Sequence, residues 1–554
     1  MPTFTEDQLD FRRAADKFAE RHFPRLEEIL KDERNGTISD AVLKDAHQNM
    51  GFTSLYIPGE DGKFPYDTVS MMMIAERLCK SPSAAITLIG PGLPLAAILR
   101  AGSPQQQAEI RKVMEGEMPA RFAFALTEAG VGSDAMQIRT KAVIDGDYFI
   151  LNGTKAFITG AGHVKDAGVR GYAVVMAQMF DVGNRQGIRA FIVRGDNQGY
   201  QVGQPYDKMG LHASDTREVI LDNCRVHKDA MLGMHAKSME EMMEMQRVMK
   251  MTLDTSRPVV AALALGIANH AYDEALNAAT ETKKIRGKPL IQFQAIRHAL
   301  AEMRIELEAA AQLTYSSGRM LDRICSGELK GFPEEEASMA KYLAADTAVR
   351  VCRRALEIFG GDGYMNDAGM SMYANAAAVF PIWEGTENIQ LQTIARKLQP
   401  LTKRAIAGLS TDYVSSVGRA SEVYGALLDH CRKSGEFDAN QSIQFGLAKM
   451  RSQIEAAHQL GEFARASTEG LSWQEQRGNQ SVLMATVYAR RVAADVFRSA
   501  EEFVSGDSAL DREISGAIPS LQSMRLSTGS TYKLLDEIAG TEEKLLLKPS
   551  RSWY

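Results

Sequence analysis

TKAVIDGDYFILNGTKAFIT, running from Thr140 to Thr159, is the stretch that decides the fold. It sets three short apolar runs, Thr140–Ile144, Tyr148–Leu151 and Lys155–Thr159, around Asp145-Gly146 and Asn152-Gly153. Asp-Gly and Asn-Gly adopt left-handed backbone easily, so between such runs they signal hairpins. The spacing predicts three strands joined by two tight turns. Further strand candidates follow at Tyr172–Met179, Gly187–Val193 and Glu218–Leu221. Residues of about 120–235 therefore read as a β-rich domain.

Helical patterns flank this region. Thr5 is an N-cap candidate with Gln8 three residues on, a capping-box spacing. Leu9, Ala14 and Phe18 then recur at roughly helical intervals, with further helices around 39–49, 66–80 and 104–115. Helices return from about 238. Phe293, Ile296, Leu300, Met303 and Leu307 mark one helix face at spacings of three and four. Pro400 and Gly408–Thr411 suggest a break. The expected division is a helical domain (1–120), a β domain (121–236), a helical bundle (237–400) and an additional helical domain (401–554). No internal repeat stands out, and no G-x-G-x-x-G follows a strand, which excludes a simple Rossmann protein. The Met-rich run Met239–Met251 suits a pocket wall or an ordinary helix contact.

The totals narrow the class. A chain of 554 residues with 45% hydrophobic and 24% charged residues can bury several cores. A net charge of -6 offers no general attraction to nucleic acid or anionic membrane. Cys79, Cys224, Cys325, Cys352 and Cys431 are scattered with no C-x-x-C pair, so no metal site is expected and a reducing compartment fits. The start, MPTFTEDQLDF, has no signal-peptide pattern. The apolar stretch near Ile89–Leu99 is broken by Gly90, Pro91, Gly92 and Pro94. The expectation is a cytoplasmic protein without an integral membrane segment.

Several segments are shaped for chemistry. Ile382-Trp383-Glu384-Gly385 places a carboxylate between an aromatic ring and a residue that lets backbone approach a ligand. Apolar neighbours favour the protonated carboxyl, moving such a group toward general-base range. Phe122–Asp134 contains small residues at 129, 130 and 132, with Thr127 and Ser133 as hydroxyl donors. Such a loop holds an anion or the polar edge of a ring. Alternation on a strand puts Phe157 and Thr159 on one face, suited to a flat heteroaromatic group. Phe359–Tyr364 holds three glycines, and Asp254-Thr255-Ser256-Arg257 offers an arginine for a phosphate or carboxylate.

In order and spacing, LTEAGVGSD, KMGLHASDTR (Lys208–Arg217), GKPLIQFQ (Gly287–Gln294), FGGDGY and IWEGTENIQ together resemble the acyl-CoA dehydrogenase family over about residues 4–400. The resemblance implies a mainly α fold with a middle β domain: N-terminal helical domain, β-barrel domain and C-terminal four-helix bundle. Here an extra helical domain is added, similar in size to that of very-long-chain members. It implies FAD, held between β domain and bundle with help from a second subunit, and oxidation of an acyl-CoA to its trans-2-enoyl-CoA. Glu384 is then the base taking the α-proton, while hydride leaves Cβ for flavin N5. The thioester carbonyl is held by the Glu384 backbone N–H and a ribityl hydroxyl.

By the same resemblance Phe124, Leu126, Thr127, Gly132, Ser133, Phe157 and Thr159 contact the flavin, and Thr386 and Asn388 the adenine half of FAD. Lys283 and Arg286 stand where a family arginine grips the partner subunit's FAD pyrophosphate. Gln294, Glu357 and Gly361 complete the cofactor-binding set. Ser133, Asp254, Arg257 and Gly385 are the expected substrate contacts, and uncharged residues 86–92 favour an apolar acyl tail. Glu357 is unusual near pyrophosphate, and Lys283 or Arg286 is expected to neutralise it. Glu60–Phe64 replaces a glycine-rich family turn. An electron-transferring flavoprotein is the implied acceptor, and the extra domain implies a homodimer. Two alternatives share these motifs: an acyl-CoA oxidase, and an AidB-like DNA-associated flavoprotein. For the second, residues 401–554 carry 18 Lys+Arg against 19 Asp+Glu, a balance of -1 that gives no basic stripe.

Overall fold

A computed structural model describes residues 4–52, 66–115, 120–181, 184–233, 239–331, 333–399, 411–468 and 479–504. Within these, side chains are not described for 184–185, 239–254, 411–412 and 501–504. The chain is mainly helical with a middle β domain, a helical bundle and a further helical region. It divides into two compact units, Asp10–Ser256 and Met1–Leu9 with Arg257–Tyr554.

The first unit opens with α1 (Glu6–His22), α2 (Leu26–Asn35) and α3 (Asp40–Gln48). The capping box forms as read: Thr5 N donates to Gln8 Oε1 at 2.9 Å, and Gln8 N to Thr5 Oγ1 at 3.2 Å. Next come α4 (Thr68–Leu78), α5 (Pro82–Ile89), α6 (Gly92–Ala101) and α7 (Pro104–Met114). Pro82–Ala101 is the one stretch among the described residues apolar and long enough to cross a membrane. Most of it is buried in the protein's own interior. Leu95, Ile98, Ile110 and Met114 pack on Phe122, Tyr172 and Val174, joining the helices to the sheet.

That sheet contains β1 (Arg121–Ala125), β2 (Lys141–Asp145), β3 (Tyr148–Thr159), β4 (Gly171–Asp181), β5 (Asn184–Arg194), β6 (Tyr200–Val202) and β7 (Thr216–His227). Its order is β1-β4-β2-β3-β7-β6, with β5 paired to β4. α8 (Ala161–Asp166) follows β3. The Asp145-Gly146 turn is present, joining β2 and β3 antiparallel, with Gly146 at φ 62°. The Asn152-Gly153 turn is not. β3 runs straight through it, and the pairing with β7 shifts between Leu151 and Gly153. Gly153 (φ 152°) is a close-approach residue, since a Cβ there would lie 2.6 Å from Thr140 Oγ1. The Asn-Gly pair thus marks a bulge, because a long partner strand was available on the far side.

In the second unit α9 (Met239–Asn277) enters at Arg257 and leads through a two-stranded hairpin, β8 (Lys284–Ile285) and β9 (Lys288–Pro289), to α10 (Gln294–Cys325). Leu300, Met303 and Leu307 are buried on the expected face. α11 (Glu334–Phe359), α12 (Gly361–Tyr364), α13 (Met370–Ala377) and α14 (Glu387–Ala395) follow. α11 packs on α10, α13 and α14. Beyond them lie α15 (Thr411–Ser434), α16 (Glu436–Ala439), α17 (Gln441–Ser467) and α18 (Gln480–Val504). α15, α17 and α18 share a core of Tyr424, Leu427, Ile454, Leu460, Val492 and Phe497, and α17 also rests on α10 and α14. Pro400, Gly408–Ser410 and Glu60–Phe64 lie outside the described residues.

Candidate active site

In the β-containing unit, residues 122–125 form strand β1 rather than the start of a loop, because they pair in parallel with β4. The chain leaves β1 into a tight turn. Glu128 and Val131 exchange backbone hydrogen bonds, and Gly130 supplies the left-handed residue at φ 77°. Ala156 N donates to Thr127 O at 2.8 Å, so the Thr127–Ser133 loop lies directly beside the end of β3. This brings together two segments that are 29 residues apart at Leu126 and Lys155.

On β3, Phe157 is 62% exposed, Ile158 buried and Thr159 half-buried, so Phe157 and Thr159 do share the open face. Simple alternation does not produce this: Lys155 and Ala156 are both buried, the register shifts after Lys155, and Phe157 has φ 63°. An exposed ring in left-handed backbone is costly and persists only where its surroundings hold it. Phe124, Leu126 and Thr127 are half-buried beside it, and Gly132 and Ser133 are exposed. An open aromatic face, hydroxyls and small residues with accessible backbone fit a flat heteroaromatic ring with polar edges.

Beneath the loop sits a feature that sequence reading passed over. Lys155 is fully buried, and its Nζ donates to Glu128 Oε1 at 2.8 Å and Leu126 O at 2.9 Å. Glu128 also accepts from Arg139 N (2.6 Å), Thr140 N (2.9 Å) and Thr140 Oγ1 (2.6 Å). Burial works to raise the Glu128 pKa, but these donors hold it below the usual carboxylate range. Burial lowers the Lys155 pKa against the pull of Glu128. Nearby, the Lys208–Arg217 segment is pinned by Lys208 Nζ to Ser214 O (2.6 Å) and by Asp215 Oδ2 accepting from Gly162 N (2.7 Å).

In the bundle unit, Glu384 lies in a tight series of turns between α13 and α14. Glu387 N donates to Pro381 O at 2.8 Å, closing the loop, and Thr386 caps α14 by accepting from Ile389 N at 3.4 Å. Phe380 and Trp383 meet edge to face at 5.1 Å. Glu384 (φ 52°) and Gly385 (φ 93°) are consecutive positive-φ residues. Buried Gln390 donates from Nε2 to Glu384 O (3.1 Å) and Gly385 O (3.0 Å). Buried Lys341 donates to the same Gly385 O at 2.6 Å. Burial pushes the Lys341 ammonium down to about 8; Glu384 and Glu387 oppose the shift and Arg257 adds to it. Arg257 Nη1 donates to Ser338 Oγ at 3.2 Å, one turn before Lys341. Lys341 was legible only as a charge inside the apolar run Met339–Ala345, and Gln390 only as the last residue of IWEGTENIQ.

The remaining cofactor candidates are more dispersed. Lys283 pairs with Asp362, not with Glu357. Glu357 is answered by Arg353 on its own helix, with Nε to Oε1 at 3.3 Å. The expected neutralisation by Lys283 or Arg286 is therefore replaced by an i,i+4 pair, which a helix supplies without any long-range approach. Arg286 (φ 52°) and Gly287 (φ 77°) form the β8–β9 turn. Gln294 is exposed at the start of α10, Gly361 is exposed at the start of α12, and Asn388 is exposed on α14. The side chains of Asp254 and of the Met239–Met251 run lie outside the described residues.

Comparisons with known proteins agree across the chain. Models of the acyl-CoA dehydrogenase N-terminal domain, middle domain and C-terminal domain match residues 5–117, 123–224, and 246–399 with 413–540. The C-terminal model thus reaches the extra helical region, a relation that inspection for repeats does not reveal. A 3-(aryl)acrylate reductase of Clostridium sporogenes is 36% identical over 399 residues, 71% of this chain and 99% of that protein. The caffeyl-CoA reductase-Etf complex subunit CarC of Acetobacterium woodii is 33% identical, with coverage of 71% and 99%. An acyl-CoA dehydrogenase from Bacillus anthracis, solved with FAD, superposes with a TM-score of 0.82 at 20% identity, covering 97% of this chain and 95% of that one.

Proposed function

The chain belongs to the acyl-CoA dehydrogenase family, and from that premise we propose that it is an FAD-dependent enzyme converting an acyl-CoA thioester to the trans-2-enoyl-CoA. The observation that carries the reading is Glu384, held on a left-handed elbow at φ 52° beside Trp383. A non-glycine residue in that conformation is strained, and such strain persists where surrounding contacts over-determine it. The elbow fixes the carboxylate relative to the backbone N–H of the same residue. One group can then take the α-proton while the other holds the thioester carbonyl as negative charge develops on it.

Thr127, Ser133, Phe157 and Thr159 are the residues that would hold the flavin ring, with Thr386 and Asn388 toward the adenine half. Lys283 and Arg286 would meet the pyrophosphate of a second copy's cofactor in a homodimer. When bound, FAD supplies the hydride acceptor. Residues 86–92, with no charged side chain, favour an apolar acyl tail. A cytoplasmic enzyme passing electrons to an electron-transferring flavoprotein is the setting we propose, consistent with a relative named as part of a reductase–Etf complex. The names of two relatives also favour a second reading, in which the same groups serve reduction of an enoyl-CoA and Glu384 returns the proton.

Anaerobic titration of the holoenzyme with saturated acyl-CoAs of graded length tests the first reading. Flavin absorbance should bleach with at least one of them. Glu384→Gln should slow bleaching by roughly 10^2–10^4-fold while FAD stays bound. No bleaching with any acyl-CoA, or full activity in the variant, would overturn it. Reoxidation of the reduced enzyme by an enoyl-CoA distinguishes the reductive direction.

A further inference from the structure

Lys341 is 1% exposed, on the inner face of α11 among Met339, Ala340, Leu343 and Ala344. A buried ammonium costs several kcal/mol of lost hydration unless fixed charges and hydrogen bonds replace the water. Here its Nζ donates to Gly385 O at 2.6 Å, and the charges of Glu384 and Glu387 favour the cation against Arg257. Glu387 has Lys449 Nζ at 3.1 Å from its Oε1. Of the charges acting on Lys341, that of Glu384 acts most strongly. Gln390, fully buried, donates to the Glu384 and Gly385 carbonyls. Three hydrogen bonds from two buried side chains thus converge on two consecutive carbonyls, in a segment where both residues are left-handed.

We propose that Lys341 is a positioning residue for Glu384: with Gln390 it clamps the carbonyls of Glu384 and Gly385 and so holds the left-handed elbow that carries the carboxylate. The inference rests on Glu384 being the base. The left-handed elbow is the conformation the backbone leaves when unsupported, because a Cβ in that region meets its own carbonyl. The clamp opposes that relaxation by tying both carbonyls to buried donors.

The test uses full-length holoenzyme carrying Lys341→Met, Lys341→Gln and Lys341→Arg. Hydrogen–deuterium exchange of peptides covering 381–391 reads the clamp without any substrate. It should quicken about tenfold in Lys341→Met, the loss of one charge-assisted hydrogen bond, and less in Lys341→Gln and Lys341→Arg. Flavin reduction by acyl-CoA reads the positioning. In Lys341→Met and Lys341→Gln the rate of reduction should fall about tenfold, with KM changing less than about twofold. Lys341→Arg should return it toward the wild-type value. Exchange and reduction rate both unmoved in variants that retain FAD would overturn the proposal. A loss of rate with unchanged exchange would do the same. If Lys341→Met fails to fold, Lys341→Gln decides both arms. If wild type is bleached by no acyl-CoA, the functional reading fails, and the exchange arm alone upholds or rejects the clamp.

Discussion

Replacing Lys155 with methionine should loosen the loop proposed to hold the flavin, by an amount the structure allows to be worked out. The substitution keeps most of the stem and removes the ammonium. It deletes two hydrogen bonds, to Glu128 Oε1 at 2.8 Å and Leu126 O at 2.9 Å. Bonds involving a charged group contribute roughly 1.5–3 kcal/mol each, and stranding one partner of a buried pair costs about 3–5 kcal/mol. The stranded partner is Glu128, 5% exposed, left with Arg139 N, Thr140 N and Thr140 Oγ1 as donors. Those donors compensate part of the lost charge, so a local destabilisation of about 3 kcal/mol is expected for residues 121–159. Glu128→Gln should cost a similar amount, because it leaves Lys155 buried without its counter-charge. The double variant has neither charge, and should be less destabilised than the sum of the singles by about 2 kcal/mol. Native-state hydrogen exchange of peptides from this region reads the local free energies. FAD affinity, measured by fluorescence on reconstitution, should fall at least about tenfold, since Leu126 and Glu128 flank Thr127. Costs that add within about 0.5 kcal/mol would refute the coupling. Unchanged FAD affinity in a variant that exchanges faster would separate the pair from the flavin loop.

Other consequences are independent of this pair. Gly385→Ala puts a Cβ 2.6 Å from Gln390 Nε2 in backbone at φ 93°, so flavin reduction should slow by about 10–100-fold with FAD retained; wild-type rates would show that the elbow can relax freely. Glu335 has its pKa pushed up to about 7 by burial, with Arg451 opposing. The folded state therefore binds the proton more tightly than the unfolded chain, and stability falls as pH rises from about 4.5 to 7. Thermal unfolding of Glu335→Gln should show a smaller drop in Tm between pH 5 and pH 8 than wild type, whereas an identical drop would mean that the pair with Arg451 offsets burial in full. Lys283→Ala combined with Arg286→Ala should weaken FAD binding by about tenfold. An unchanged dissociation constant would mean that Lys283 serves only its pair with Asp362.

Much of the candidate site is legible as type and order. Thr127, Ser133, Phe157, Thr159 and Glu384 stand out as candidates because ring stacking, hydroxyl donation and proton transfer each need particular side chains. Glu128, Lys155, Lys341 and Gln390 do not, although all but Lys341 lie within motifs already singled out. Their role depends on what they reach, and reach is set by packing. Lys341 and Gly385 are 44 residues apart and Lys155 and Glu128 27. No periodicity relates such positions.

Helix and strand order, the Thr5–Gln8 cap and the Asp145-Gly146 turn were determined by sequence alone, since each depends on contacts a few residues long. The fate of Asn152-Gly153 shows the limit. The same dipeptide that closes a hairpin becomes a bulge once β7 lies alongside and Thr140 crowds the glycine. Tertiary structure alone decided that, and it alone decided that a buried ammonium and a buried amide meet at the Gly385 carbonyl. Local sequence encodes which backbone shapes are cheap; which polar groups are buried together, and so must satisfy one another, is settled only when distant segments are brought out of water.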